Sequence, residues 1–217
     1  MDNRINKAAE SFIANLTGAN AAEFREYVAE ITRNREFHDG IEEKRSSRGR
    51  RRDSWWEYGL SPALGAILYA VCRRQKPDTV VETGVASGVS SSHILVALEK
   101  NKRGQLYSID LPSREKRSGW MIPDYLRHRW HLTAGRSAET LELLLKKVRE
   151  IDIFLHDSDH SYENMMWEFE TAWAYLKAGG LLLAHNIDYN DVFSDFCREH
   201  GVRGYTLGDM GWIVKEG

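Results

Sequence analysis

From Thr79 onward, short apolar runs alternate with amphipathic helical patterns, and few architectures accept that order. Strands are read at Thr79–Thr83, Gln105–Asp110, 131–134, Ile151–His156 and 180–185. Helical spacing fills 90–101, 123–129, 138–150 and 162–178, with one more helix near 191–200. In the helix from Ala138, Leu141, Leu144, Leu145 and Val148 share one face. The stretch "LGDMG" reads as the turn of a closing antiparallel hairpin. Strands joined by crossover helices predict an α/β fold. The expectation is a Rossmann-like, doubly wound, mostly parallel seven-stranded sheet, with a C-terminal hairpin and an N-terminal helical extension.

The N-terminal part reads as helical to about residue 43. Phe12, Ile13 and Leu16 are spaced for one face, and Phe24, Tyr27, Val28 and Ile31 for another. Gly18 is a predicted stop and Asn20 a predicted cap. "EEKRSSRGRRRD", residues 42–53, reads as a solvated basic linker, with a mobile lid or a polyanion contact as the sharper alternative. Ser61 and Pro62 then open a helix whose stripe is Leu64, Ile67, Leu68 and Val71. A net charge of −2 over 217 residues attracts neither nucleic acid nor membranes. No apolar run approaches the ~20 residues of a spanning helix. "MDNRINKAAESF" lacks the apolar run of a signal peptide, so a cytoplasmic location is expected. Cys72 and Cys197 form no metal-type spacing and are expected as buried thiols.

In doubly wound sheets ligands bind beyond the carboxyl ends of the strands. The first strand runs into "ETGVASGVS", where Gly84 and Gly88 allow a close backbone approach. A dinucleotide fingerprint would carry glycine where Ala86 stands. The second strand ends in Asp110, placed to accept hydrogen bonds from ribose hydroxyls. Glu82 and Asp110 together favour a neutral or cationic ligand over a pyrophosphate. After the third strand, Ser137 can cap the following helix. The fourth strand ends in "HDSDHSYE", whose His156, Asp157, Asp159 and His160 are costly unless paired, solvated or bound to a cation. The fifth ends in "LLLAHNIDY", so Asp157, His185 and Asn186 could face one cation.

In these residues the chain resembles class I S-adenosylmethionine-dependent methyltransferases. It is most similar to the metal-dependent O-methyltransferases of catechol and caffeoyl-CoA type and to the cephalosporin-hydroxylase-like and macrolide-sugar group. The likeness rests on "YGLSPALGAIL", "ETGVASGVS", "SIDLP", "GRSAETL", "HDSDHSYE" and "AGGLLLAHNI", in order from about Tyr58 to the C-terminus. It implies an extension and basic linker over 1–53 and a methyltransferase domain over 54–217. It also implies that Glu82, Gly84, Ser87, Gly88, Ser90, Asp110, Ser137 and Asp157 surround S-adenosylmethionine. Asp157, His185 and Asn186 would hold a divalent metal such as Mg²⁺. His160 stands where the catechol-type enzymes have their lysine base, and His185 replaces the first aspartate of their Asp-Asn pair.

The function so implied is metal-assisted O-methylation of a small-molecule hydroxyl (sugar, phenol or natural product), with His160 as base and Asp157 beside it. Trp55, Trp56 and Tyr58 could stack on the acceptor. The likeness is compatible with a homodimer. Two other readings are an RNA-directed methyltransferase using the arginines at 48–52, and a Rossmann nucleotide-binding protein without methyl transfer.

Overall fold

The computed structural model describes residues 21–47, 61–111 and 118–217. Helices α1 (Ala21–Thr32), α2 (Arg35–Ser47) and α3 (Pro62–Gln75) precede strand β1 (Thr79–Thr83). Then come α4 (Val89–Asn101), β2 (Gln105–Asp110), a 3-10 helix (Asp124–Arg129), β3 (Trp130–Ala134), α5 (Ser137–Val148) and β4 (Ile151–His156). The chain ends with α6 (Tyr162–Tyr175), β5 (Leu176–Ala184), α7 (Val192–His200), β6 (Gly204–Leu207) and β7 (Met210–Val214).

The strands form one seven-stranded sheet in the order β3-β2-β1-β4-β5-β7-β6. β1 pairs parallel with β4, and β4 with β5. β7 runs antiparallel to both β5 and β6, as the "LGDMG" turn predicts. Strand order reverses between β1 and β4, which makes that boundary the switch point of the sheet. β1 and β4 are almost wholly buried, as central strands covered on both faces are.

By contacts the chain divides into two compact units. One holds the sheet with α5, α6 and α7. Its core joins Leu141 and Leu145 of α5, Met165 and Phe169 of α6, Phe193 and Phe196 of α7, and Phe154, Leu182 and Ile213 of the sheet. α6 ends at Tyr175, three residues before the predicted 178, because residues 176–179 already belong to β5.

The other unit holds α1 to α4, residues 85–105, and 118–131 with the 3-10 helix. Its apolar interior includes Phe24, Ile31, Phe37, Leu68, Ile94 and Leu98. Arg73 of α3 donates to Glu30 of α1 at 2.8 Å, and Arg129 to Glu99 of α4 at 2.7 Å. Ser61 caps α3 as expected, accepting from the Leu64 amide at 3.3 Å. The N-terminal pattern breaks at Asn34, whose Oδ1 accepts from the Phe37 amide at 3.1 Å and starts α2. α2 continues to Ser47, so the first half of the expected linker is helical. Residues 48–53, the stripe Phe12–Ile13–Leu16 and the aromatics Trp55, Trp56 and Tyr58 lie outside the described residues. No described helix is long and apolar enough to cross a membrane.

Candidate active site

Three strand ends converge where the sheet's order reverses. The Asp157 amide donates to the Thr83 carbonyl at 2.9 Å, and the His185 amide to the His156 carbonyl at 3.0 Å. Pairing thus continues one residue past β1 and β4, and sets Asp157 and His185 on adjacent strand extensions. Gly84 makes this approach possible. At φ 84° it sits in the left-handed region, and a Cβ there would lie 1.9 Å from the Asp157 carbonyl oxygen.

Behind this edge lies a buried polar network. Glu168 of α6 is 0% exposed, yet its carboxylate meets four donors. Thr83 Oγ1 (2.5 Å) and His156 Nδ1 (2.6 Å) reach Oε2, while Ser158 Oγ (2.6 Å) and Asn164 Nδ2 (3.1 Å) reach Oε1. Burial opposes ionisation, but the bonds from His156 and Ser158 outweigh it and hold the carboxyl below its usual range. Ser137 does not cap its helix. It is the first residue of α5, and its hydroxyl donates to Asn164 Oδ1 at 3.3 Å.

The network opens toward solvent through His160. His156 Nε2 and His160 Nδ1 are 3.3 Å apart. The half-buried His160 ring packs near Tyr189, and its carbonyl accepts from Asn190 Nδ2 at 2.8 Å. Burial and then the neighbouring His156 push the His160 pKa below the ordinary histidine value. Its Nε2 lies 3.9 Å from Asp157 Oδ1. That oxygen also accepts from His185 Nδ1 at 2.9 Å, while His185 Nε2 lies 3.3 Å from Asp209 Oδ2 in the β6–β7 turn. Burial lowers the His185 pKa, but Asp157 and Asp209 together raise it above the usual value.

Of the expected site residues, the fold brings together Asp157, His160 and His185. Asn186, at φ 56°, contributes no side-chain hydrogen bond to this cluster. Asp110 ends β2 part-buried. Glu82 is fully buried and accepts from Ser108 Oγ at 2.6 Å. In the helical unit Ser87 and Ser90 are buried at the start of α4. Gly88, at φ 90°, would place a Cβ 2.7 Å from Gly119 Cα. Ala86 itself takes φ 47°, so the loop turns left-handed without a glycine there.

His185 Nδ1 is engaged by Asp157, and its Nε2 lies within ion-pair distance of Asp209. Among the described residues no cluster of His, Cys, Asp and Glu is arranged to hold an ion. Glu168, Thr83 and Asp209 went unread in the sequence. The available signal was a carboxylate at 168 in the buried helical row of Met165, Phe169 and Ala172.

Residues 81–187 match the family Methyltransf_24, described as a methyltransferase domain. No curated protein matches the chain in sequence. Among solved structures, the fold is similar to the SAH-bound methyltransferase PaMTH1 of Podospora anserina. That match has 17% identity and TM-score 0.61, over 83% of this chain and 88% of that one. It is also similar to an O-methyltransferase of Bacillus cereus in complex with SAH, at 14% identity and TM-score 0.59, over 96% of this chain and 97% of that one. A third is MycE, a methyltransferase of the mycinamycin pathway solved with Mg, SAH and mycinamycin VI. It has 17% identity and TM-score 0.51, over 67% of this chain and 46% of that one. The fold is that of the class I S-adenosylmethionine-dependent methyltransferases, and the central strands carry a methyltransferase-domain sequence.

Proposed function

We propose that this protein methylates a hydroxyl group of a small molecule with S-adenosylmethionine, and that His160 is the base. The observation that carries this reading is the His160 imidazole itself. It is half-buried at the switch point of the sheet, beside Asp157, with its pKa lowered so that it is neutral near pH 7. A neutral imidazole there can accept a proton in the pH range where most enzymes work.

The donor supplies an electrophilic methyl group on a positively charged sulfur. The chain's part is to hold two reactants in line and to make one oxygen anionic. Asp110 fits the ribose hydroxyls, since it stands at the carboxyl end of β2. His160 Nε2 takes the hydroxyl proton. Asp157, which accepts from His185 Nδ1, lies beside the base and supports the imidazolium as it forms. A divalent ion was expected at Asp157; His185 Nδ1 lies 2.9 Å from that carboxylate, and no step is assigned to a metal.

Calorimetry with S-adenosylmethionine and a methyl-transfer assay over hydroxylated acceptors test this together. Asp110→Ala should weaken donor binding by about 10-fold or more, as loss of hydrogen bonds to a charged acceptor does. His160→Ala should bind the donor normally and lose about 10²-fold or more in turnover. Chelation should leave turnover unchanged. Full activity of His160→Ala would remove the base, and loss under chelator restored by Mg²⁺ would overturn the metal-free reading.

A further inference from the structure

We propose that Glu168 and His156 are a positioning pair that holds His160 in the one tautomer able to accept a proton at Nε2. This rests on His160 being the base.

The argument runs along the hydrogen bonds. The four donors on Glu168 leave it as a carboxylate, which only accepts, so His156 Nδ1 must donate to it. With that single ring proton given to Glu168, His156 presents a bare Nε2. The atom facing that lone pair is His160 Nδ1, at 3.3 Å, which must carry the proton. His160 Nε2 is thereby left unprotonated, on the side of Asp157. When Nε2 takes the acceptor's proton, the imidazolium keeps its Nδ1–H on His156 and nothing in the chain behind it needs to move. The attacking oxygen's electron pair forms the new C–O bond, and the C–S pair leaves with the sulfur.

A structural role alone explains the network poorly. Glu168 and His156 are both 0% exposed, in the apolar interface between α6 and the sheet. Burying a carboxylate costs several kcal/mol, and apolar replacements of similar size commonly do as well or better for stability. Thr83, Ser158 and Asn164 all donate to Glu168, and through His156 the network reaches the half-buried His160.

The test is the tautomeric state of His160, read from ring ¹⁵N shifts in histidine-labelled full-length protein near pH 8. The expected wild-type signal is an Nδ1–H tautomer. Glu168→Gln should move His160 toward the Nε2–H form and lower kcat about 10²-fold, with KM for donor and acceptor within about 2-fold. Glu168→Asp, if it regains the carboxylate contact, should restore part of the rate. A wild-type His160 found as Nε2–H overturns the proposal, and so does a folded Glu168→Gln with unchanged tautomer and rate. If the variant does not fold, the wild-type spectrum still decides. Full turnover in His160→Ala would instead remove the base assignment while leaving the measured tautomer as it stands.

Discussion

His93 shows what burial does to a single side chain away from the candidate site. Its Nδ1 lies 2.9 Å from the Val89 carbonyl, and its ring meets Phe37 edge-on at 5.0 Å between centroids. Burial pushes its pKa from 6.5 down to about 4, with nearby His38 adding to the effect. The folded protein therefore holds it neutral, while the unfolded chain protonates it near 6.5. The stability it contributes is complete above pH 6.5 and is lost as pH falls toward about 4. The melting temperature should drop by several degrees across that window. His93→Gln should flatten that part of the profile in a thermal melt series. An unchanged slope would mean that the imidazole stays solvated.

Among the elements, the closing hairpin and α7 depend on two missing side chains. A Cβ on Gly211 of β7 would lie 2.6 Å from the Phe193 ring, and one on Gly204 of β6 would lie 2.6 Å from Cys197 Sγ and 2.8 Å from the Phe193 ring. Phe193 is therefore seated on the bare backbone of both strands. Gly211→Ala should cost about 1–3 kcal/mol through overpacking, read as a lower denaturant midpoint with little change in m. A change within ±0.5 kcal/mol would mean that the ring can move aside. Most elements were legible because their periodicities are strong. β1, β4 and α5 fall within two residues of their predicted ends, and the hairpin turn was visible in its glycines. The α1–α2 break was missed because apolar spacing continues across it, and only the Asn34 cap marks it. Ser137 misled for a related reason. A serine before a helix predicts a cap, but Asn164 and Glu168, from a helix some 30 residues on, compete for its hydroxyl.

Taken whole, the sheet-bearing unit closes on the junction of β1 and β4. Gly84→Ala would drive a methyl group into the Asp157 backbone, where neither chain can yield without breaking the pairing of Thr83 with Asp157. The expected loss exceeds about 4 kcal/mol, enough to unfold many domains of ordinary stability. Expression trials and circular dichroism of the purified variant would check it. A well-folded Gly84→Ala would show that the junction can spread.

The alternation of apolar runs and helical patterns, with acids and imidazoles at the strand ends, is written in local spacing. Local spacing was enough to predict a doubly wound sheet and to point to Asp110, Asp157 and His160. Partners could not be read that way. His185 lies 28 residues from Asp157 and 24 before Asp209, and nothing along the chain shows that one imidazole lies between two carboxylates where a metal was expected. Nor does any spacing tie Glu168 to Thr83, 85 residues earlier. Those pairings follow from strand register and helix packing, which bring positions far apart in the chain within reach of one another.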